Sequence, residues 1–186
     1  VRNLQKNKTT RVSVKSNGDE ASPNQNANSY MPSMSASGRF VAFQGDPTAA
    51  FTGSDTNNGY DIYVRDRKTN KTKLVSVKSD GTQPTPFGLE PQFEEISANG
   101  RYVVFDTETN YGGGADPGDA RDVYLRDIKK GKTKLVSGPY KGKHADDNQI
   151  ADVSNNAYVG WEAMGRAVPG ADDGMDWDVY LRGPVN

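Results

Sequence analysis

The oxygen-rich run Asp55-x-Asn57-x-Gly59-x-Asp61 sets polar side chains at alternate positions, the spacing with which a calcium loop opens. Carboxylates gather at comparable places further on, as Asp116, Asp119 and Asp122 and then as Asp172, Asp173, Asp176 and Asp178. A calcium loop of the helix-loop-helix kind needs glycine at its sixth position, where Tyr60 stands, and a bidentate glutamate at its twelfth, where Asp66 stands. Asp and Asn capping their own turns ahead of a strand account for the same residues, so no metal site is assigned. Catalytic groups are scarcer still. His144 is the only histidine and lies in the polar stretch "KGKHADDN"; no cysteine is present, which excludes thiol nucleophiles, disulfides and cysteine-based zinc sites. Glu94, Glu95 and Glu162 are the acids a glycosidase pair could draw on, but adjacent strand residues face opposite sides, so Glu94 and Glu95 cannot share one site. No nucleophile elbow, zinc-protease helix or phosphate loop is present. The expectation is a non-enzyme, with no catalytic residue and no cofactor.

What surrounds these residues is a repeat. Arg2, Arg65, Arg126 and Arg182 hold one register at spacings of 63, 61 and 56, each behind Val or Leu. Asp61, Asp122 and Asp178 recur with Tyr63, Tyr124 and Tyr180 in the same frame. "SASGRFVAF" from Ser35 returns as "SANGRYVVF" from Ser97 and, one residue shorter at the turn, as "SNNAYVGW" from Ser154. Two blocks in one order and one rough period make three supersecondary units.

Each unit reads as four strands. The first is 30–35, 91–97 or 148–154, and the second is "RFVAFQ", "RYVVFD" or "AYVGWE". In the second, Phe40 and Ala42 point one way and Val41 and Phe43 the other, so it is apolar on both faces and must lie between layers. The third, "DIYVRD" or "DVYLRD", alternates, and the fourth, "TRVSV", "TKLVSV" or "TKLVS", suits a half-exposed outer strand. Turn positions support the division. Asn7, Asn70 and Gly131 align between third and fourth strands, and Gly38, Gly100 and Asn156 between first and second. Glycine and asparagine tolerate the positive φ that tight hairpins require. The sequons at Asn7 and Asn70 are explained by those turns without a sugar.

Composition agrees. Hydrophobic residues make up 33%, mean hydropathy is -0.82, and 20 glycines and 10 prolines are spread along all 186 residues. Many short strands fit this better than long helices. A net charge of -1 from 23 basic and 24 acidic residues leaves no electrostatic footprint for nucleic acid and no basic face for a lipid surface. No apolar run has the length of a membrane span.

Four-stranded antiparallel sheets in series, each with one doubly buried strand, stack around an axis as the blades of a propeller. "SANGRYVVF" followed by "DVYLRD" resembles the WD40-like (PD40) repeats of TolB-type β-propellers, and the resemblance covers nearly the whole chain. It implies a bacterial, extracytoplasmic (periplasmic or secreted) setting and an interaction role. The third unit departs from the pattern: Asn156 replaces glycine, the arginine is missing, and Trp161 stands where Phe43 and Phe105 do. Trp177-Asp178 is not a WD signature, because its register partners are Tyr60-Asp61 and Arg121-Asp122.

The expected fold is therefore all-β, a β-propeller region over 1–186 with repeats at roughly 1–63, 64–124 and 125–180. Residues 9–14 form a fourth strand without its own blade, while the last unit supplies three strands. The first is thus the candidate closing strand, within a longer propeller or a dimeric ring of exchanged strands. Beginning in mid-motif without methionine, the chain reads as a processed or excised product. Loops 44–60, 106–121 and 163–177, with 15–29, 78–91 and 138–147, emerge on one face and carry Phe51, Phe87, Tyr111, Tyr140 and Trp177. Those aromatics are the candidate partner-binding residues, unless some tuck back as plugs over the core. The function expected is non-catalytic binding of a protein partner, with self-association or further propeller segments completing the ring. The alternatives are a carbohydrate-binding or calcium-stabilised lectin-like propeller and a regulatory piece of a hydrolase.

Overall fold

The computed structural model describes residues 1–21, 27–53, 55–86, 88, 90–114, 120–138, 147–165 and 176–185; of these, the side chains of 93, 94 and 150 are not described. Strands β3 (Ser29–Met34), β4 (Phe40–Gly45), β5 (Asp61–Asp66) and β6 (Lys71–Leu74) form one antiparallel sheet in that order. The second sheet follows as β7 (Gln92–Ile96), β8 (Tyr102–Thr107), β9 (Asp122–Asp127) and β10 (Lys132–Leu135). The third has β11 (Asp147–Val153), β12 (Val159–Met164) and β13 (Trp177–Arg182). Ahead of them, β1 (Arg2–Asn3) and β2 (Lys8–Thr9) make a two-residue hairpin. The chain is all-β, a partial propeller of stacked sheets that do not close on themselves. Among the described residues no helix is long and apolar enough to cross a membrane.

The doubly apolar second strands sit between layers for the reason the alternation gives. Ala42, Ile62, Val64 and Val75 of the first sheet pack in one cluster with Ile96, Val103, Phe105, Tyr124 and Leu135 of the second. The opposite face of that second sheet, with Tyr102, Val104, Val123 and Leu125, packs against Ala151, Val153, Val159 and Trp161 of the third. Successive residues of β4 and β8 thus serve two different interfaces, at roughly 1.5–3 kcal/mol for each fully buried large side chain.

Turn geometry follows the aligned positions, with one correction. Asn7, Asn70 and Gly131 have φ of 49°, 55° and 65°. Gly38 and Gly100 have φ of 66° and 73°, but in the third unit the positive φ, 60°, falls on Ala157 rather than Asn156. Each of these turns is anchored three residues back: Gly38 N–H donates to Ser35 O, Gly100 N–H to Ser97 O and Ala157 N–H to Ser154 O. The serine fixes the position, and the missing residue is the arginine after it. The first strands share a feature that the alternation does not reveal, a register shift between Tyr30 and Ser33, Phe93 and Glu95, and Gln149 and Asp152. The fourth strands stop short of the expected 72–77, since Val75 and Ser76 N–H both turn onto the single carbonyl of Ile62.

The stretch 9–14 is not an extended strand here. Thr9 pairs with Arg2, in the register that Arg65↔Thr72 and Arg126↔Thr133 repeat, and Thr10 exchanges backbone hydrogen bonds with Val1 at 2.8 Å each. Beyond it, Val14 O accepts the Thr72 hydroxyl at 2.6 Å, which ties this stretch to the first sheet.

Candidate functional site

The acidic positions that opened the sequence question are turned inward. Asn57 Oδ1 accepts the Gly59 N–H at 3.1 Å, capping its own turn, and the Asp55 carboxylate accepts the Tyr63 hydroxyl. Asp61 is buried and accepts Ser76 Oγ at 2.5 Å and Gln83 Nε2 at 2.7 Å. Burial pushes its carboxyl up to about 8, against those two donors and with the Asp55 charge adding to the rise. The second sheet repeats the clamp: Ser137 Oγ donates to Asp122 at 2.6 Å and accepts the Val123 N–H at 2.9 Å, as Ser76 Oγ accepts that of Ile62 at 3.0 Å. Among the described residues no three acidic or histidine side chains gather as a metal would require. Asp116, Asp119, Asp172, Asp173 and His144 lie outside the described residues.

A carboxyl pair that the sequence did not suggest forms across the second and third sheets. Glu95 and Asp152 meet on the first strands, and burial, followed by the hydrogen bond and charge of Asp152, pushes Glu95 up to about 7. Two cavities of about 330 and 300 Å³ are lined elsewhere, the first around Arg11, Glu20 and Phe51 and the second around Leu125, Lys132 and Val185.

The repeated arginine is a clamp between neighbouring sheets. Arg65 Nη1 donates to Thr72 Oγ1 at 3.1 Å and to Lys15 O at 3.0 Å. Arg126 Nη1 donates to Thr133 Oγ1 at 3.0 Å and to Lys78 O at 3.2 Å, while Thr133 Oγ1 donates to Val77 O. Arg182 Nη1 reaches back to Val136 O at 2.6 Å.

Of the five aromatics expected on a recognition face, two are corrected. Phe51 and Tyr111 are buried plugs. Phe51 stands edge-on to Phe43 and Tyr63 with centroids 5.1 and 5.0 Å away. Tyr111 lies 5.1 Å from Phe105 and 5.6 Å from Tyr124. The reason is local: Phe43 and Phe105 end an inward face that only a loop residue can cover. Gly45 gives Phe51 the room, since a Cβ there would lie 3.0 Å from both the Phe51 and Tyr63 rings. Phe87 and Tyr140 fall outside the described residues. Trp177 is at the surface, 45% exposed.

Trp177 has company that sequence reasoning missed. Val179 and Leu181 follow it on the same face of β13 and are 79% and 73% exposed, with Tyr158 of the adjoining turn at 42%. Cross-strand pairing puts Leu181 opposite Gly160 and Val179 opposite Glu162, as Val64 faces Ala42 and Ile62 faces Gln44. Yet Ile62 is 0% and Leu125 2% exposed, each covered by the sheet that comes next. The signal was available: the apolar face of a third strand needs a following sheet, and after β13 none is described. A contiguous exposed apolar face of this kind is a candidate contact surface.

No protein-family model matches the sequence, and no curated protein matches it either. Among solved structures the chain is similar to TolB from Acinetobacter baumannii, with 18% identity and a TM-score of 0.46 over 81% of this chain and 29% of that one. It is likewise similar to a protein assigned as TolB from Agrobacterium tumefaciens, with 12% identity and a TM-score of 0.46 over 87% of this chain and 47% of that one. The chain thus spans less than half the length of either structure.

Proposed function

We propose that the chain is a non-catalytic protein-binding module whose contact surface is the open face of the third sheet. Trp177, Val179, Leu181 and Tyr158 form that surface. The observation that supports this reading is the contrast within the repeat: positions buried between sheets in the first two units stand in water in the third. Apolar residues on a regular sheet face, with the neighbouring faces already filled by like residues, suit another polypeptide and offer a sugar few directed polar groups. An extracytoplasmic setting, implied by the resemblance to TolB-type propellers, goes with this proposal and is checked by fractionating cells that make the protein.

The test is a photo-reactive phenylalanine in place of Trp177, irradiated in those cells. A discrete polypeptide adduct that disappears in the Val179→Asp/Leu181→Asp variant is expected. Glycan binding lost on Trp177→Ala, with no polypeptide adduct, would overturn the proposal in favour of a lectin-like one.

A further inference from the structure

We infer that the end of the stack formed by its short turns is a docking surface for an anionic lipid bilayer, held there by lysines of the third-to-fourth-strand turns. The inference goes beyond the protein-binding reading and does not depend on it. In an antiparallel four-stranded sheet the first-to-second and third-to-fourth turns lie at one end, and the second-to-third connection lies at the other. Hydrogen bonds join the short turns from sheet to sheet. Ala36 N–H donates to Ala98 O at 2.9 Å, while Asn99 N–H and Nδ2 donate to Asn155 Oδ1 and O at 2.7 and 3.1 Å. Within a sheet, Arg67 N–H donates to Arg39 O and Ile128 N–H to Arg101 O, both at 2.9 Å. Turns 35–39, 67–70, 97–101, 128–131 and 154–158 thus share one face, and none of them contains an acidic residue.

The carboxylates that end β5 and β9 are already engaged. Asp66 accepts Arg39 Nε and Nη2 at 2.9 and 2.7 Å and the Lys68 N–H at 2.9 Å. Asp127 accepts Arg101 Nε and Nη2 at 3.1 and 2.7 Å and the Lys129 and Lys130 N–H at 3.0 Å. What remains is Lys68 and Lys71 on one hairpin and Lys129, Lys130 and Lys132 on the next. All five are exposed and, among the described residues, none has an ion-pair partner. Lysines on an outer strand guard its edge against stray pairing, but Lys68, Lys129 and Lys130 stand in turns, where there is no edge to guard. Ser16 and Ser79 fasten their connections to Thr72 and Thr133, which brings Asp19 and Asp80 towards this end, each with a lysine in its own turn, Lys15 and Lys78. Glu95 and Asp152 lie on first strands, at the opposite sheet edge from the fourth. At the far end of the first sheet the β4–β5 connection holds Asp46 and Asp55 and no basic residue. A net charge of -1 therefore conceals a basic face, because the fold sorts its charges by turn type.

The chemistry of this face favours many phosphates at once over a single one. Arg39 and Arg101, the planar forks that could grip one phosphate, are taken by Asp66 and Asp127, and the lysines left over are hydrated point charges on flexible stems. Met34, next to turn 35–39, is 51% exposed, and Tyr158 of turn 154–158 is 42% exposed. Apolar and aromatic tips among lysines suit the headgroup boundary of a bilayer, whereas a nucleic acid calls for a row of stacking rings.

The test is co-sedimentation with phosphatidylcholine vesicles that contain about one third phosphatidylglycerol, beside vesicles of phosphatidylcholine alone. The chain should bind the first and not the second, and binding should fall as salt rises from about 50 to about 500 mM. At about fivefold for each lysine, Lys68→Ala/Lys71→Ala/Lys129→Ala/Lys130→Ala should weaken binding by several hundredfold. Its melting temperature should not change, since these side chains are exposed. The same four positions changed to arginine should keep the binding. No binding to the anionic vesicles, equal binding to both kinds, or an alanine variant that binds as well as the unmodified chain overturns the inference. So does a chain that binds a labelled oligodeoxynucleotide and leaves the vesicles alone. Vesicle binding lost in Val179→Ser/Leu181→Ser but kept in the alanine variant also overturns it and moves the contact to the face of β13. The crosslinking result at position 177 is independent of each of these outcomes, so either reading can fail alone.

Discussion

Thr133→Val is the substitution that tests how the sheets are joined. Valine keeps the shape of threonine and removes one hydroxyl, which here accepts from Arg126 Nη1 at 3.0 Å and donates to Val77 O across the sheet boundary. Burial pulls the Arg126 pKa below its ordinary value, so the guanidinium depends on such partners to stay buried and charged. A hydrogen bond to a charged group contributes about 1.5–3 kcal/mol and a neutral one about 0.5–1.5 kcal/mol. Arg126 keeps Lys78 O at 3.2 Å, so the charge is not stripped of every partner and the expected loss is about 2–3 kcal/mol. For a chain of this size that lowers Tm by about 5–10 °C, read by thermal melting. Arg126→Met and the double variant complete a cycle, and the pair should couple by about 1 kcal/mol or more. A loss under about 0.5 kcal/mol, or two substitutions that simply add within about 0.5 kcal/mol, would refute the clamp as a joint between sheets.

Three further outcomes follow from the same geometry. Phe51→Ala should cost about 3–5 kcal/mol in a urea titration, as an aromatic leaves a packed trio, while the exposed Trp177→Ala should stay within about 0.5 kcal/mol in dilute solution; equal effects would contradict the plug. Because burial beside Asp152 raises the Glu95 pKa from 4.5 to about 7, the folded chain holds a proton there that the unfolded chain releases. Stability therefore falls as pH rises between those values and levels off above, and Glu95→Gln should flatten that limb; an unaltered slope would contradict the pairing. Asp66 has the opposite sign, its carboxyl held below the usual range chiefly by the Arg39 hydrogen bonds at 2.9 and 2.7 Å. Its contribution is present above the unfolded value of 3.8 and lost as pH falls below it, so Asp66→Asn should shrink the acid limb of the stability profile.

Much of the strand order was legible because it rests on local rules. The two-sided apolarity of "FVAF" and "YVVF" forces a layer on each side, and the Asn7, Asn70 and Gly131 turns need backbone angles that few residues tolerate. The left-handed residue of the third turn was misplaced because a deletion had to be located by residue type, whereas the chain locates it by counting from the anchoring Ser154. Which of the candidate aromatics would tuck back as plugs was not legible for a related reason. Loop sequence does not tell whether a ring turns outward or down, and Phe51 and Tyr111 went down because Phe43 and Phe105 offered uncovered edges.

The sequence by itself determined the repeat, the sheets it writes and their order, since strand pattern and turn chemistry act over a few residues. Only the tertiary structure decided which copies of one motif are buried. Val179 and Leu181 occupy the same register as Ile62 and Val64, and they differ in what stands next to them. Burial is a property of the neighbour as much as of the residue, which is why two copies of one motif in the same register differ so widely in exposure.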